Sequence, residues 1–389
     1  MKKAMRVLIT LALGLVGVCL LAALVSTLSN LGLPTRLKMV DRLPELEKNR
    51  LREAFQLRRE LGERVWPGWG KADIPILVYN SDYAFLVGYP DPPPGWLKVP
   101  SATPRGGPWE QTPDDTFQGQ VYYRQRLTEP GITPEAFTVR VGDRWVASLG
   151  TREYAQISLI QGFRETLPGL LKPIFPYRLL WKLLMGDTET YIGALLHEAF
   201  HAYQGMAAPE RLAQAENSMR YDSQYPWDNA VAEQAWQTEL NKLFEATQAQ
   251  GKDPTIERAR QFLALRDARR AQAGLTTELI DLERMREWEE GLAKYAELEI
   301  QRQAALSANY RPLPALAQDP DFKHYKNRLS FWNNQLNEVK RMGNRSEDTR
   351  FYYSGFAQAV LLDRLMPGWK ARAFQPGVWL EDLLREAAY

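Results

Sequence analysis

Thiol chemistry is nearly absent from this chain. Its one cysteine, Cys19, sits in the N-terminal apolar run, which leaves the rest of the molecule without a disulfide or a thiolate metal site. Histidine is almost as scarce, with three in 389 residues. Any metal must therefore be held by very few imidazoles together with carboxylates. An excess of one charge is missing too: 49 Lys and Arg stand against 47 Asp and Glu, a formal net charge of +2. Without a basic field, nucleic acid is not an expected partner. The polar bias of a disordered chain is also lacking, since 45% of residues are hydrophobic and 25% charged. The length suffices for one large core or two smaller ones. No internal repeat is visible, and residues 254–302 do not keep a 3.5-residue apolar period across several heptads, which argues against a coiled coil.

One long apolar run is present. Lys2, Lys3 and Arg6 precede an uncharged stretch over 7–28, long enough at 1.5 Å per residue to cross a hydrocarbon core of about 30 Å. This predicts a membrane helix kept as an N-terminal anchor. A cleaved signal has a shorter apolar region of roughly 7–15 residues, although Thr27 and Ser29 supply small residues before Asn30. Val18 stands just before Cys19, where lipid attachment wants a small residue. Arg36, Lys38 and Arg42 follow the run, so cations flank both ends and orientation is weakly specified. The part of the chain that follows the run is expected outside the cytoplasm.

Residues 40–64 mix Leu43, Leu46, Leu51, Phe55 and Leu57 with charges, the pattern of an amphipathic helix serving as a stalk or a first packing helix. Two short β-rich runs, 74–79 and 84–87, flank Asn80-Ser81-Asp82 and read as a hairpin. A Pro- and Gly-rich loop follows over 89–116. Further strands are expected over 118–126 and 136–149, the latter broken by a Gly142-Asp143 turn. From Asp187 onward helical periods dominate, with breaks at Gly205, Tyr225-Pro226, 251–254, 312–320 and Pro367-Gly368. The expected fold is α+β and helix-rich, with an anchor over 1–35, an α+β substrate-side part over 36–186 and a helical metal-binding part over 187–389.

Asp187 or Thr188 can cap a helix running to about Gln204, with Gly205 as its stop. Ile192, Leu195, Leu196, Ala199, Phe200 and Tyr203 form a continuous apolar stripe along it. His197 and His201 flank that stripe four residues apart, so both imidazoles project from one side and can share one ion. Glu198 then lies beside the metal without binding it, placed to take a proton from a metal-bound water and pass it to a leaving group. With three histidines in the chain, chance placement of two in this pattern is on the order of one in a thousand. Two core histidines beside a surface glutamate is the weaker reading.

The stretch Leu195-Leu196-His197-Glu198-Ala199-Phe200-His201-Ala202-Tyr203 resembles the extended motif of zincin metallopeptidases. The resemblance implies zinc held by His197 and His201, with Glu198 as general base, and peptide or protein as substrate.

A catalytic zinc normally has three protein ligands and one water. The remaining histidine, His324, lies in a polar segment and reads as solvated. A carboxylate is expected instead. Trp288-Glu289-Glu290-Gly291-Leu292-Ala293-Lys294-Tyr295 is similar to the Glu-Gly-x-Ala-x-Tyr segment that several gluzincins place after their metal helix, which maps the third ligand to Glu290. The gap from His201 is longer than in the best-known gluzincins and implies a helical insertion. Periodicity leaves alternatives open. Glu290 and Lys294 can form a solvated i, i+4 pair within a stripe of Glu283, Glu287 and Glu297, Glu289 shares the more apolar face, and Glu233 is nearer in sequence. Gly291 favours the first two by permitting close approach to the metal helix.

Phe351-Tyr352-Tyr353-Ser354-Gly355-Phe356 precedes a helical run. Tyr353, or the guanidinium of Arg350, can donate to the oxyanion of a tetrahedral intermediate, while packing is the plainer role for these aromatics. The strand over 145–149 is the expected edge against which a peptide would lie. The chemistry requires only a polarisable carbonyl, so an amidase or deacylase acting on another substrate rivals the peptidase. A non-catalytic membrane scaffold with a structural or vestigial metal site, and a binding module drawing on the 12 Trp and 17 Tyr, are the rivals outside catalysis.

Overall fold

Residues 2–127, 133–345 and 347–389 are described by the computed structural model. The chain opens with helix α1, Lys2–Asn30, within which Ile9–Asn30 is long and apolar enough to cross a membrane. Leu11, Leu13, Val18 and Leu20 on it stand exposed. Helix α2, Glu45–Val65, is a packing helix and not a stalk: Leu51, Leu57, Leu61 and Val65 are buried. The charges on its buried side find partners. Arg50 bonds Glu47 and Asp319, and Lys48 pairs with Asp115.

Among the described residues, seven strands then build one sheet. The hairpin of β1, Ile76–Tyr79, and β2, Tyr83–Val87, turns at Asn80, whose side-chain oxygen accepts from the backbone N–H of Asp82 and Tyr83. The Pro- and Gly-rich loop contributes only β3, Leu97–Lys98, and β4, Glu110–Gln111. β5, Tyr123–Arg126, β6, Phe137–Val141, and β7, Arg144–Gly150, complete the set in the order β3-β6-β7-β1-β2-β5-β4. β7 pairs with β1 in parallel; the other pairings are antiparallel. The stretch 145–149 is thus an interior strand, not an edge. Val146, Ala147 and Ser148 are buried in succession on both faces, the pattern of a strand covered on each side. The edges belong to β3 and β4.

Among the described residues, thirteen helices follow or flank this sheet: α3, Arg152–Thr166; α4, Tyr177–Leu184; α5, Thr188–Ala207; α6, Pro209–Ser218; α7, Ala230–Gln248; α8, Lys252–Gln272; α9, Thr277–Arg286; α10, Leu292–Leu306; α11, Arg328–Glu338; α12, Thr349–Leu365; α13, Trp369–Arg372; and α14, Leu380–Ala388, with α2 before them. The fold is α+β and helix-rich. Alternation splits the sheet's side chains: Ile76, Val78, Phe85 and Ala147 join the main core under α2 and α5, whereas Leu77, Leu86, Val139 and Val146 form a smaller cluster on the other face. The main core draws from Leu43 to Ala388.

Gly205 does not stop α5. It lies inside the helix, where an added Cβ would overlap the Trp145 ring of β7, so its bareness lets the helix lie on the sheet. Nor does Gly291 face α5. Its absent Cβ would stand 2.5 Å from the Cα of Gly355, and Gly355 in turn meets the carbonyl of Glu287. Gly291 and Gly355 therefore let α12 cross the π-helical turn Glu287–Gly291 at backbone contact.

Candidate metal centre

α5 is fixed at its start by the Asp187 carboxylate, which accepts from the backbone N–H of Thr190, and is held along its length by the buried stripe Ile192, Leu195, Leu196, Ala199 and Phe200. This leaves His197 and His201 facing α10 and the π-helical turn that precedes it. Their Nε2 atoms are 3.0 Å apart. Oε2 of Glu290 stands 3.1 Å from the first and 3.3 Å from the second. His197, His201 and Glu290 thus form a group that can hold a metal ion.

The partners of the remaining ring nitrogens fix the tautomers. Nδ1 of His197 lies 3.4 Å from Oε2 of Glu297, a carboxylate kept ionised down to about 2: burial opposes its charge, and Lys294 and His197 outweigh that opposition. Such a group only accepts, so Nδ1 carries the hydrogen. Nδ1 of His201 meets Oε1 of Gln204 at 2.8 Å, while the amide nitrogen of Gln204 donates to the carbonyls of Trp288 and Glu289. Hence Nδ1 of His201 is again the donor, and in the neutral rings both Nε2 lone pairs point at the same spot. Two lone pairs and a carboxylate oxygen in such contact call for a cation.

The donor set fits a divalent ion. A point roughly 1 Å off the plane of the three atoms lies about 2.0–2.1 Å from each, the usual Zn–N and Zn–O length. Electrostatics agree. Burial disfavours charge on His197, yet its hydrogen bonds to Glu290 and Glu297 push it up to about 10, and Glu290 raises His201 against the same burial. Glu290 itself is held well below the carboxylate range, because Arg286 and His201 outweigh its burial. Nη2 of Arg286 bonds Oε1 of Glu290 at 2.9 Å, leaving Oε2 for the histidines.

Of the three carboxylates weighed for the third position, only Glu290 touches both imidazoles. Oε2 of Glu289 takes Nη1 of Arg286 at 2.6 Å, and its side chain hydrogen-bonds Glu216. Glu233 sits in the first turn of α7 near Arg350. His324 is exposed beside Phe322 in the loop before α11. Glu290 pairs with Arg286 and not Lys294, which turns to Glu297 at 3.3 Å.

Glu198 is buried beside these groups. Its charge is felt by His197, His201 and Glu290, burial raises its pKa, and no hydrogen bond to its carboxylate occurs among the described residues. Tyr353 is not the phenol at the centre. Its hydroxyl donates to Oε1 of Gln335 at 2.9 Å, on the outer side of Glu297. Tyr352, one residue earlier on α12, stacks on His197 with ring centroids 6.0 Å apart and planes 9° apart, and its hydroxyl bonds Glu290. Arg350 is spent elsewhere, between the rings of Trp227 and Trp236 with its Nε bonded to the Arg345 carbonyl.

Residues sequence reasoning passed over are Gln204, Glu297, Arg286 and Tyr352. Three left a trace: Gln204 is three residues after His201, Glu297 seven after Glu290 and Arg286 four before it, so each shares a helix face with its ligand.

A cavity of about 330 Å³ lies between Glu135 and Ala136 just before β6, Leu149 and Gly150 at the end of β7, and Ala194 of α5, one turn before Glu198, and none of the metal-site side chains lines it. No protein-family model, no curated protein and no solved structure matches this chain.

Proposed function

We propose that the chain is a membrane-anchored zinc metallopeptidase. The observation that carries this reading is the convergence of Nε2 of His197, Nε2 of His201 and Oε2 of Glu290 within 3.3 Å of one another beside the otherwise unbonded carboxylate of Glu198. Three protein ligands, not four, converge among the described residues, which leaves the open position that distinguishes catalytic from structural zinc sites. Zinc bound there would polarise a substrate carbonyl and acidify a water.

The protein's own groups do the rest. Glu198, with no competing hydrogen bond, takes the proton of the attacking water and returns it to the leaving nitrogen. Glu297 and Gln204 hold the two imidazoles in the tautomer that presents Nε2, and Arg286 turns Glu290 so that one oxygen is free. Tyr352 clamps His197 from its face and steadies Glu290.

The docking edge moves accordingly from β7 to β6. β3 pairs only with Val139 and Arg140, so Phe137 and Thr138, next to the cavity, are without a β3 partner. An extended peptide can add there, giving backbone hydrogen bonds and placing a side chain in the cavity. The exposed apolar surface of α1 suits lipid, and the reading places the catalytic part outside the cytoplasm.

A peptide-library cleavage screen on the full chain in detergent, with Glu198→Gln alongside, tests this reading. Cleavage by the wild type and at least 100-fold slower cleavage by a variant with full zinc content are expected. Equal cleavage by both would remove Glu198 from the chemistry, and hydrolysis only of acylated non-peptide amines would replace the peptidase with a deacylase.

A further inference from the structure

A second apolar surface lies at the foot of α1, separate from the metal centre. Residues 166–186 contain no Asp or Glu but do contain Lys172, Arg178 and Lys182. Leu170 is 90% exposed and Leu183 73%, with Leu171, Ile174, Leu179 and Leu184 also open. In a water-facing loop and helix this composition is costly, since contiguous exposed apolar surface marks an interaction site. α4 is two-sided for a reason: Tyr177 and Trp181, one turn apart, face inward and are buried, which turns Leu179 and Leu183 outward.

What covers the patch follows from what it is attached to. Nδ2 of Asn30, the last residue of α1, donates to the carbonyls of Pro173 at 2.9 Å and Phe175 at 2.8 Å. Nε of Arg178 donates to the Ser29 carbonyl at 2.9 Å. Leu33, just past the helix, packs with Ile160 and Tyr177 in a small core of its own. The patch is thereby pinned to the end of the one described helix fit to span a membrane, at the level where hydrocarbon gives way to headgroups. Leucines with interleaved cations and no acids are the composition of a segment that lies in that interface, apolar side chains in the acyl region and basic tips at lipid phosphates.

We propose that residues 167–185 are a second membrane-embedded element, seated in the same leaflet into which α1 descends. The inference rests on reading α1 as a membrane helix, not on the peptidase reading. It bears on the site because Met185, at the end of this element, also lines the cavity that reaches Ala194 and α5. That cavity would then open close to the bilayer.

The test uses the full chain with Cys19→Ser and single cysteines Leu170→Cys, Leu183→Cys or, as a water-facing control, Glu210→Cys. Each is labelled with a small fluorophore and reconstituted in phosphatidylcholine–phosphatidylglycerol vesicles. Flotation of the vesicles after an alkaline wash reads the anchor separately. Doxyl groups on lipid chains are expected to quench the labels at 170 and 183 at least twofold more than at 210, with aqueous iodide giving the reverse order. Chain that floats with the vesicles but is iodide-quenched equally at all three sites would overturn the inference. So would labels at 170 and 183 shielded from both quenchers, which would assign the patch to a second copy. Chain lost in the wash would overturn the anchor on which the inference stands.

Discussion

Each imidazole of the candidate centre is tied down through its far nitrogen, His197 by Glu297 and His201 by Gln204. Ligands oriented this way lose little freedom on binding, and removing such a support typically weakens a metal site by about 10- to 100-fold. Glu297→Ala should therefore lower zinc affinity within that range, read by competition with a chromophoric chelator, while leaving the far-UV spectrum unchanged. Tyr353→Phe should leave zinc content and turnover untouched, and Tyr352→Phe should reduce both by losing the bond to Glu290. At this scale the sequence was legible where spacing alone decides: four residues between His197 and His201 force them to one side of any helix. It was not legible where phase decides. Tyr352 and Tyr353 differ by about 100° around α12, and only the crossing at Gly355 shows which of them meets His197.

Among the elements, the contact between α12 and the π-helical turn Glu287–Gly291 sets the height of Tyr352 and the aim of Glu290. Both glycines there face backbone, which cannot move aside as a side chain can. Gly291→Ala should cost about 1–3 kcal/mol by overpacking and loosen the third ligand, read as a lowered midpoint in denaturant and a reduced zinc content. The hairpins and the helical second half were readable from alternation, turn residues and apolar period. The position of β7 in the sheet was not, because strand order depends on pairings far apart in the chain. The glycines were visible as small residues, but what each approaches was not: Gly205 meets β7 and Gly291 meets α12.

Across the whole molecule, a polar stripe that sequence periodicity would leave in solvent is buried as an ion-pair network. Arg266, Arg269 and Arg270 of α8 bond Glu239, Glu283, Glu287 and Glu381, drawn from four further elements. Such a network is unreadable in sequence, where buried and solvated charges look alike. Burial would raise the pKa of Glu283, yet Arg269 and Arg270 hold it down at about 2, and Arg266 and Arg270 depress Glu381 likewise. The folded state thus binds protons less readily than the unfolded one. Its electrostatic stability is complete above the ordinary carboxylate value of 4.5 and is lost as pH falls toward 2. Unfolding midpoints in urea should be flat from pH 7 to about 5 and then drop, and Glu239→Ala, which leaves Nε of buried Arg266 and of Arg269 without an acceptor, should cost about 3–5 kcal/mol at neutral pH. The network clamps the π-helical turn through Glu287, so the far half of the molecule holds the ligand-bearing segment in place. Zinc binding by this arrangement is read by elemental analysis of the purified full chain, with His197→Ala, Glu290→Ala and Glu289→Ala beside the wild type. About one zinc per chain is expected, lost in the first two variants and kept in the third. A wild type that carries no metal and takes none up from zinc-containing buffer at neutral pH would contradict it.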